Sequence, residues 1–342
     1  MKLNLFAYRL ENKKPFRIAH GSRTFTDTLF VQIVHEGIIG TGEASHVPYY
    51  DIKVEDSIAL INRLWDKIVP VFSEEHAIFW RHIDALFGAN HFAKCALDMA
   101  FYDWKAQKAG LPLWEYLGLR SYDLPQSSFT IGMGSEEEMR EALLGSDFSS
   151  FKIKLGGEDD LAALKYLRLI SSAPFKIDVN SGWSLEETIE ALPYLEKVNL
   201  ELIEQPLAKE LFEENNVIRA KTSIPLFADE SCFSLSDVKA CAPYFDGINI
   251  KLSKCGGIFP ALEMVGLARS MNLKLMIGCM TESSIGISSI AHLSSLFDFV
   301  DMDGATLLKV DPADGVKLKN GMAFFNSKNG HGAQLLIKND GA

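Results

Sequence analysis

The chain has little of what marks a protein for export, for membranes or for nucleic acid. Its five cysteines (Cys95, Cys232, Cys241, Cys255 and Cys279) are scattered, odd in number and without a C-x-x-C pair, so neither a disulfide framework nor a thiolate metal knuckle is expected. Reduced thiols suit a cytoplasmic protein. No uncharged apolar run is long enough to span a bilayer, and no basic stretch followed by an apolar one is found near the start, so a membrane partner is not expected. Positive charge is short: 34 Lys and Arg against 45 Asp and Glu leave a net charge of −11. That balance excludes a general nucleic-acid binder, because phosphate contacts need a basic face. Also missing are a G-x-G-x-x-G turn after a first strand, which argues against a dinucleotide fold, and any low-complexity tract.

What is present is a chain of 342 residues, 47% hydrophobic and 23% charged, enough for one barrel-sized domain and a smaller one. From about Gln126 onward eight strand-like runs recur: SSFTIGM, FKIKLG, FKIDVN, LELIEQP, PLFADES, GINIKL, KLMIGCM and DFVDMDG. With Ile153, Asp178, Glu204, Asp229 and Lys251 as markers, the steps are 25, 26, 25 and 22 residues. Helix-patterned stretches such as EDDLAALKYLRLI fill the intervals. Strand and helix alternating at this period predict a parallel α/β sheet, and eight such strands close into a (β/α)8 TIM-type barrel over residues 123–310. Residues 1–122 read as an α+β domain, with strands NLFAYRL and TLFVQIVHEGIIGTGEA turning at Glu36-Gly37 and three helices after them. Residues 311–342 are turn-rich and are expected to return to the first domain.

In such a barrel, functional side chains stand at the C-terminal ends of the strands. Those ends read Lys154, Asp178, Glu204, Asp229, Lys251, and then Asp301 and Asp303. A single Asp at a strand end is commonly the N-cap of the next helix. A lysine in an apolar strand is harder to dismiss, because an unpaired buried ammonium is costly. Three carboxylates on neighbouring strands repel unless a cation sits among them. An all-oxygen set favours a hard ion, Mg2+ ahead of Mn2+ or Ca2+. Asp178, Glu204 and Asp229 are therefore the candidate metal ligands.

Strands two and six of eight are diametrically opposed, so Lys154 and Lys251 face each other across the mouth. Two bases on opposite sides of one carbon can remove a proton from one face and return it to the other, while the metal stabilises the enediolate formed in between. A lysine base with Mg2+ is the general enolase-superfamily arrangement. Lys152 shares a face with Lys154, and is expected to depress its neighbour's pKa and to hold a substrate carboxylate.

The stretches K-I-K (152–154), D-V-N (178–180), E-Q-P (204–206), A-D-E-S (228–231) and N-I-K-L-S-K-C-G-G (249–257), with GTGEA and GLPLWEYLG before them, resemble the enolase superfamily in its muconate-lactonizing-enzyme-like subgroup. The resemblance runs along nearly the whole chain. It implies an N-terminal capping domain over a modified barrel, one divalent ion at the three carboxylates, and acid/base lysines at Lys154 and Lys251. DMDG (301–304) resembles the D-x-D signature of the dipeptide epimerases of the L-Ala-D/L-Glu type, whose carboxylates hold the substrate α-ammonium. A dipeptide, at about 3.3–3.6 Å per extended residue, suits the gap between Asp301/Asp303 and the metal. The cap or turn remains the plain alternative for DMDG.

By the same resemblance, backbone N–H groups of Cys279, Met280 and Thr281 meet the terminal carboxylate, and Thr130 lines the space. HGSRTFTDT and HVPYYD (46–51) are expected as loops overhanging the mouth. Arg23 resembles a position that binds a side-chain carboxylate, although PFRIAHGSRT is longer than the usual loop and a solvated arginine is the alternative. Tyr49 and Tyr50 favour an apolar side chain instead, and His20 and His46 are further candidates for the lining.

The expected activity is epimerisation of an L,L-dipeptide of the L-Ala-Xaa type at its C-terminal residue, by a homo-oligomer. An o-succinylbenzoate synthase or muconate cycloisomerase is the nearest alternative, needing the same metal and lysines but no ammonium clamp. A Schiff-base aldolase would need one desolvated lysine and no carboxylate triad.

Overall fold

The computed structural model describes residues 1–19, 21–157 and 159–337; His20 lies outside them. Three antiparallel strands open the chain, β1 (Lys2–Ile18), β2 (Gly21–His35) and β3 (Ile38–Ser45). Glu36 and Gly37, with φ of 52° and 77°, make the β2–β3 turn, the paired left-handed geometry that a two-residue hairpin requires. Helices α1 (Val54–Ile68), α2 (His76–Phe87), α3 (His91–Ala109) and the short α4 (Leu113–Tyr116) follow. Helix α3 lies directly on β3. A Cβ at Gly42 would sit 2.0 Å from the Ala96 carbonyl oxygen, so GTGEA keeps its glycine for the close approach of two backbones.

The second unit is an eight-stranded parallel sheet in sequential order. It runs β4 (Phe129–Ile131), α5 (Glu136–Gly145), β5 (Phe151–Lys154), α6 (Asp160–Ile170), β6 (Phe175–Asp178), α7 (Leu185–Leu195) and β7 (Leu200–Glu204). It continues α8 (Phe212–Arg219), β8 (Leu226–Ala228), α9 (Leu235–Cys241), β9 (Gly247–Lys251), α10 (Leu252–Cys255), α11 (Ile258–Ser270), β10 (Lys274–Gly278), α12 (Ser284–Leu293) and β11 (Phe299–Asp301). The Ser127–Val300 bridge brings β11 back to the first strand. Capping boxes fix several helix starts, among them Ser135 with Glu138 on α5 and Ser184 with Glu187 on α7, each satisfying orphan N–H groups of the first turn. After β11 a 3₁₀ turn (Gly304–Leu307) stands where an eighth helix would be, which is the modification of the barrel.

Two carboxylates from the first domain cap barrel helices. Glu43 accepts from the Ser283 N–H (3.0 Å), the Ser283 hydroxyl (2.6 Å) and the Gly286 N–H (2.9 Å) at the start of α12. Asp98 accepts from the N–H groups of Ile258 (2.6 Å) and Phe259 (3.0 Å) at the start of α11. Acidic groups at helix N-termini are favourable. The C-terminal residues add β12 (Ala313–Asp314) paired with β15 (Gln334–Leu335), and the hairpin β13 (Lys317–Lys319) and β14 (Met322–Phe324). His331 ties them to the first domain, its N–H donating to Asp103 (3.0 Å) and its Nε2 lying 2.8 Å from the Thr41 carbonyl oxygen. All five cysteines are free thiols. Among the described residues no helix is long and apolar enough to cross a membrane.

One segment departs from the sequence reading. HGSRTFTDT was expected to be a loop, but β1 and β2 continue as a hairpin in which Phe16 pairs with Arg23, Arg17 with Ser22 and Ile18 with Gly21. A register shift between Glu11 and Phe16 absorbs the extra length.

Candidate active site

Alternation along β5 turns Lys152 and Lys154 inward. Lys152 passes deepest and is 1% exposed. Its ammonium lies 2.9 Å from Asp178 Oδ2, 2.8 Å from Glu204 Oε2 and 2.9 Å from Asp301 Oδ2. Burial alone would lower its pKa, but Asp178, Asp301 and Glu204 outweigh that and hold it well above the ordinary lysine value. Three carboxylates meet its three hydrogens.

Lys154, at the end of β5, donates to Asp178 Oδ2 (2.6 Å) and Asn180 Oδ1 (3.2 Å). Lys251, at the end of β9, donates to Asp229 Oδ2 (2.6 Å). The two strands stand four apart in the ring of eight, so each lysine leans on the carboxylate beside it from its own flank. Burial works against ionisation of Asp178, yet Lys152 and Lys154 hold its pKa down at about 2. Lys251 and Lys254 likewise keep Asp229 well below the usual carboxylate range. Burial would lower Lys251, but Asp229 raises it above its ordinary value. Lys251 thus stands here as an ammonium.

One ligand atom each from Asp178, Glu204 and Asp229 lies within 4.8 Å of the others. Glu204 Oε1 accepts from Asn249 Nδ2 (2.7 Å), whereas Glu204 Oε2 faces the Lys152 ammonium at 2.8 Å. Burial and the charge of Asp178 push Glu204 up to about 7. A buried, all-oxygen triad whose ligand atoms converge this closely fits a divalent cation.

Across the mouth, Asp303 Oδ2 accepts from the Thr130 N–H (2.6 Å), and the Thr130 hydroxyl reaches Asp301 (3.3 Å) and Asp303 Oδ1 (3.2 Å). The Asp303 side chain makes no cap bond to the turn that follows it, which sets aside the plain capping role. Burial and the charge of Asp301 push Asp303 up to about 7. That pair is short of positive charge. Cys279, Met280 and Thr281 line the same cavity, but the Met280 N–H is already given to Glu282 Oε1 (2.9 Å).

The outer wall comes from the first domain. Phe16, Ile18, Arg23, Val47, Tyr49 and Tyr50 line the cavity. Arg23 is half-buried, burial pulls its pKa down, and no carboxylate pairs with it among the described residues. Tyr50 packs on Phe233, with centroids 5.4 Å apart. His46 is not in this lining: it is buried, with Nε2 2.9 Å from the Ser57 hydroxyl and Nδ1 3.0 Å from the Ala44 carbonyl, and burial lowers its pKa to about 4. It is a packing group.

Sequence reasoning passed over Asn180, Glu230, Asn249 and Lys254. Asn180 Nδ2 donates to Glu230 Oε1 (3.1 Å) and so aims its own oxygen at Lys154. Each of the four sits inside a motif already singled out, and Lys254 follows Lys251 at the i, i+3 spacing of one helical turn.

A barrel with carboxylates at the ends of its third, fourth and fifth strands and lysines at the ends of the second and sixth belongs to a recognisable class. Residues 2–118 match the mandelate racemase / muconate lactonizing enzyme N-terminal domain and residues 135–338 the enolase C-terminal domain-like family; the chain is a member of the enolase superfamily. More particularly, it is 39% identical to an L-Ala-D/L-amino acid epimerase of Flavobacterium johnsoniae, over 98% of this chain and 100% of that protein. It is also similar to the substrate-liganded L-Ala-D/L-Glu epimerase of Bacillus subtilis (TM-score 0.90, 27% identity, 97% and 98% coverage). A dipeptide epimerase of Cytophaga hutchinsonii, complexed with Mg and D-Ala-L-Val, superimposes with a TM-score of 0.88 at 27% identity, covering 97% and 95%.

Proposed function

We propose that this chain is a metal-dependent dipeptide epimerase that inverts the α-carbon of the C-terminal residue of an L,L-dipeptide of the L-Ala-Xaa type by two-base proton transfer. The observation that carries this reading is the placement of Lys154 and Lys251 on opposite flanks of one carboxylate cluster, with the Asp301–Asp303 pair across the mouth. Asp178, Glu204 and Asp229 hold the divalent ion, Mg2+ by preference. When bound, the ion draws off the negative charge that proton loss places on the substrate carboxylate.

The chain's own groups do the rest. One lysine takes the α-proton as an amine and the other, as an ammonium, delivers a proton to the opposite face. Asp301 and Asp303 receive the substrate α-ammonium, and Thr130 fixes both carboxylates by its three hydrogen bonds. This clamp has no purpose in an o-succinylbenzoate synthase or a muconate cycloisomerase, whose substrates carry no ammonium.

Residues 1–122 serve as the specificity domain, 123–310 as the catalytic barrel and 311–342 as the returning segment. Arg23 is a half-buried guanidinium with no carboxylate partner among the described residues, so an acidic Xaa is preferred; the aliphatic stem of such a residue rests on Ile18 and Tyr50. Arg23→Leu should move the preference from L-Ala-L-Glu to L-Ala-L-Leu. Five free thiols suit a cytoplasmic enzyme, and a homo-oligomer completes the reading.

The test is a dipeptide library incubated in D2O with Mg2+ and followed by mass and NMR. Uptake of one deuterium at the C-terminal α-carbon of L-Ala-Xaa, abolished by EDTA and restored by Mg2+, is expected. Exchange into no dipeptide, with turnover of the succinylbenzoate precursor instead, overturns the assignment.

A further inference from the structure

The two oxygens of Asp229 are held by two different lysines, and the lysines are held very differently. Lys251 has one partner, Asp229 Oδ2, and faces the cavity. Lys254 is 1% exposed and its ammonium lies among four oxygens: Asp229 Oδ1 (2.5 Å), the Asp229 carbonyl (2.6 Å), the Cys232 carbonyl (3.1 Å) and the Asn249 carbonyl (3.2 Å). These acceptors belong to the end of β8, the loop after it and strand β9. Lys254 itself sits on α10, which follows β9 with no intervening loop. The strand–helix junction therefore points both ammonium groups at one carboxylate.

We infer that Lys254 is a positioning residue for the metal: it anchors Asp229 through Oδ1 and leaves Oδ2 as the oxygen that a divalent ion and Lys251 exchange. This rests on the reading of Asp178, Glu204 and Asp229 as metal ligands. Its content is a difference in sign. Both lysines place positive charge near a cation, so simple repulsion makes the loss of either one tighten metal binding. Anchoring predicts otherwise. Without Lys254, Asp229 loses the hydrogen bonds that fix its side chain and its backbone, and removal of such outer-shell partners weakens metal sites by about 10–100-fold. Without Lys251, the ion loses only a competitor for Oδ2.

The experiment titrates Mn2+ into the full-length apo-protein and reads free Mn2+ by electron paramagnetic resonance, with calorimetry on Mg2+ alongside; no turnover enters the measurement. Lys254→Met should bind Mn2+ about 10–100-fold more weakly than the parent, and Lys251→Met more tightly. Lys176→Met removes another buried ammonium, one that pairs with Glu201 away from the metal ligands, and should leave Mn2+ affinity unchanged. If Lys254→Met does not fold, Lys254→Arg replaces it. A guanidinium keeps the charge but cannot put one nitrogen among four oxygens, so weaker binding is again expected. Affinity in the Lys254 variant equal to or above the parent's overturns the inference, and so does an equal loss in the Lys176 variant. Failure of the parent itself to bind Mn2+ or Mg2+ refutes the metal site as such, a separate result.

Discussion

Strand β6 carries an inward lysine and an inward aspartate two residues apart, Lys176 and Asp178, and their surroundings show how a barrel interior divides. Lys176 is 2% exposed and lies 2.8 Å from Glu201 Oε2 and 3.1 Å from the Ser150 hydroxyl, with the Phe299 ring 5.6 Å away. Beside this pair, Leu202, Phe227 and Met276 form a small apolar cluster of their own, and the Glu201 side chain is 31% exposed, so its charge keeps contact with water. Around Asp178 the bookkeeping is different. One of its oxygens serves both Lys152 and Lys154, Asp229 serves both Lys251 and Lys254, and a buried oxygen of Glu230 accepts no hydrogen bond. Burial of charge does not distinguish the two regions. Partner sharing does: the Lys176 pair is closed, whereas the mouth can exchange partners with an incoming ion or substrate.

The largest effects that test this contrast come from the mouth lysines. Lys154→Ala and Lys251→Ala should each reduce epimerisation by at least the 10²–10⁴-fold typical of a lost general acid or base. Each variant should still exchange deuterium into one enantiomer, the one whose proton faces the remaining lysine. An equal loss in Lys176→Met would erase the distinction. Next, Asp303→Asn should raise KM for the free dipeptide by roughly 1–3 kcal/mol, the cost of a lost charge-assisted bond. An N-acetylated dipeptide, which has no ammonium, should lose nothing further.

A third test uses Glu282, a buried carboxylate next to the cavity-lining Thr281; it forms no ion pair among the described residues. Burial and the nearby Glu43 push it up to about 8, from an ordinary 4.5. A folded-state pKa above the unfolded one means that its contribution is intact below about 4.5 and is lost as pH rises to 8. Glu282→Gln should remove that decline, so the variant gains stability over the parent by a few kcal/mol at pH 9 and little at pH 5. Denaturant melts across that range decide it, and parallel curves refute the assignment. The smallest effect belongs to Lys176→Met with Glu201→Leu, which should leave kcat/KM unchanged and be neutral or stabilising by about 1–4 kcal/mol in urea melts.

Much of this arrangement was legible before any coordinates. Ile153, Asp178, Glu204 and Lys251 lie on the strands expected of them, and Asp229 directly follows its strand, because parallel strands buried on both faces leave a short apolar run that repeats with the βα period. The site motifs were legible for the same reason, since charge inside such a run is conspicuous. Lys254 and Asn249 were overlooked although adjacent to assigned residues: their roles depend on which carbonyls fold back toward them, a long-range fact. The 16–23 hairpin was mistaken for a loop because its strand pairing is set by a register shift and not by clean alternation. The commitment of Lys152 to three carboxylates also needed coordinates, since strand alternation gives a face but not a reach.

Glu43 and Asp98 have a consequence beyond helix capping. Because each plants a carboxylate from one module onto a helix terminus of the other, the two modules cannot slide apart without stranding buried polar atoms on both sides. The cavity wall that Phe16, Ile18, Arg23, Val47, Tyr49 and Tyr50 supply is therefore held in fixed alignment over the strand ends beneath it.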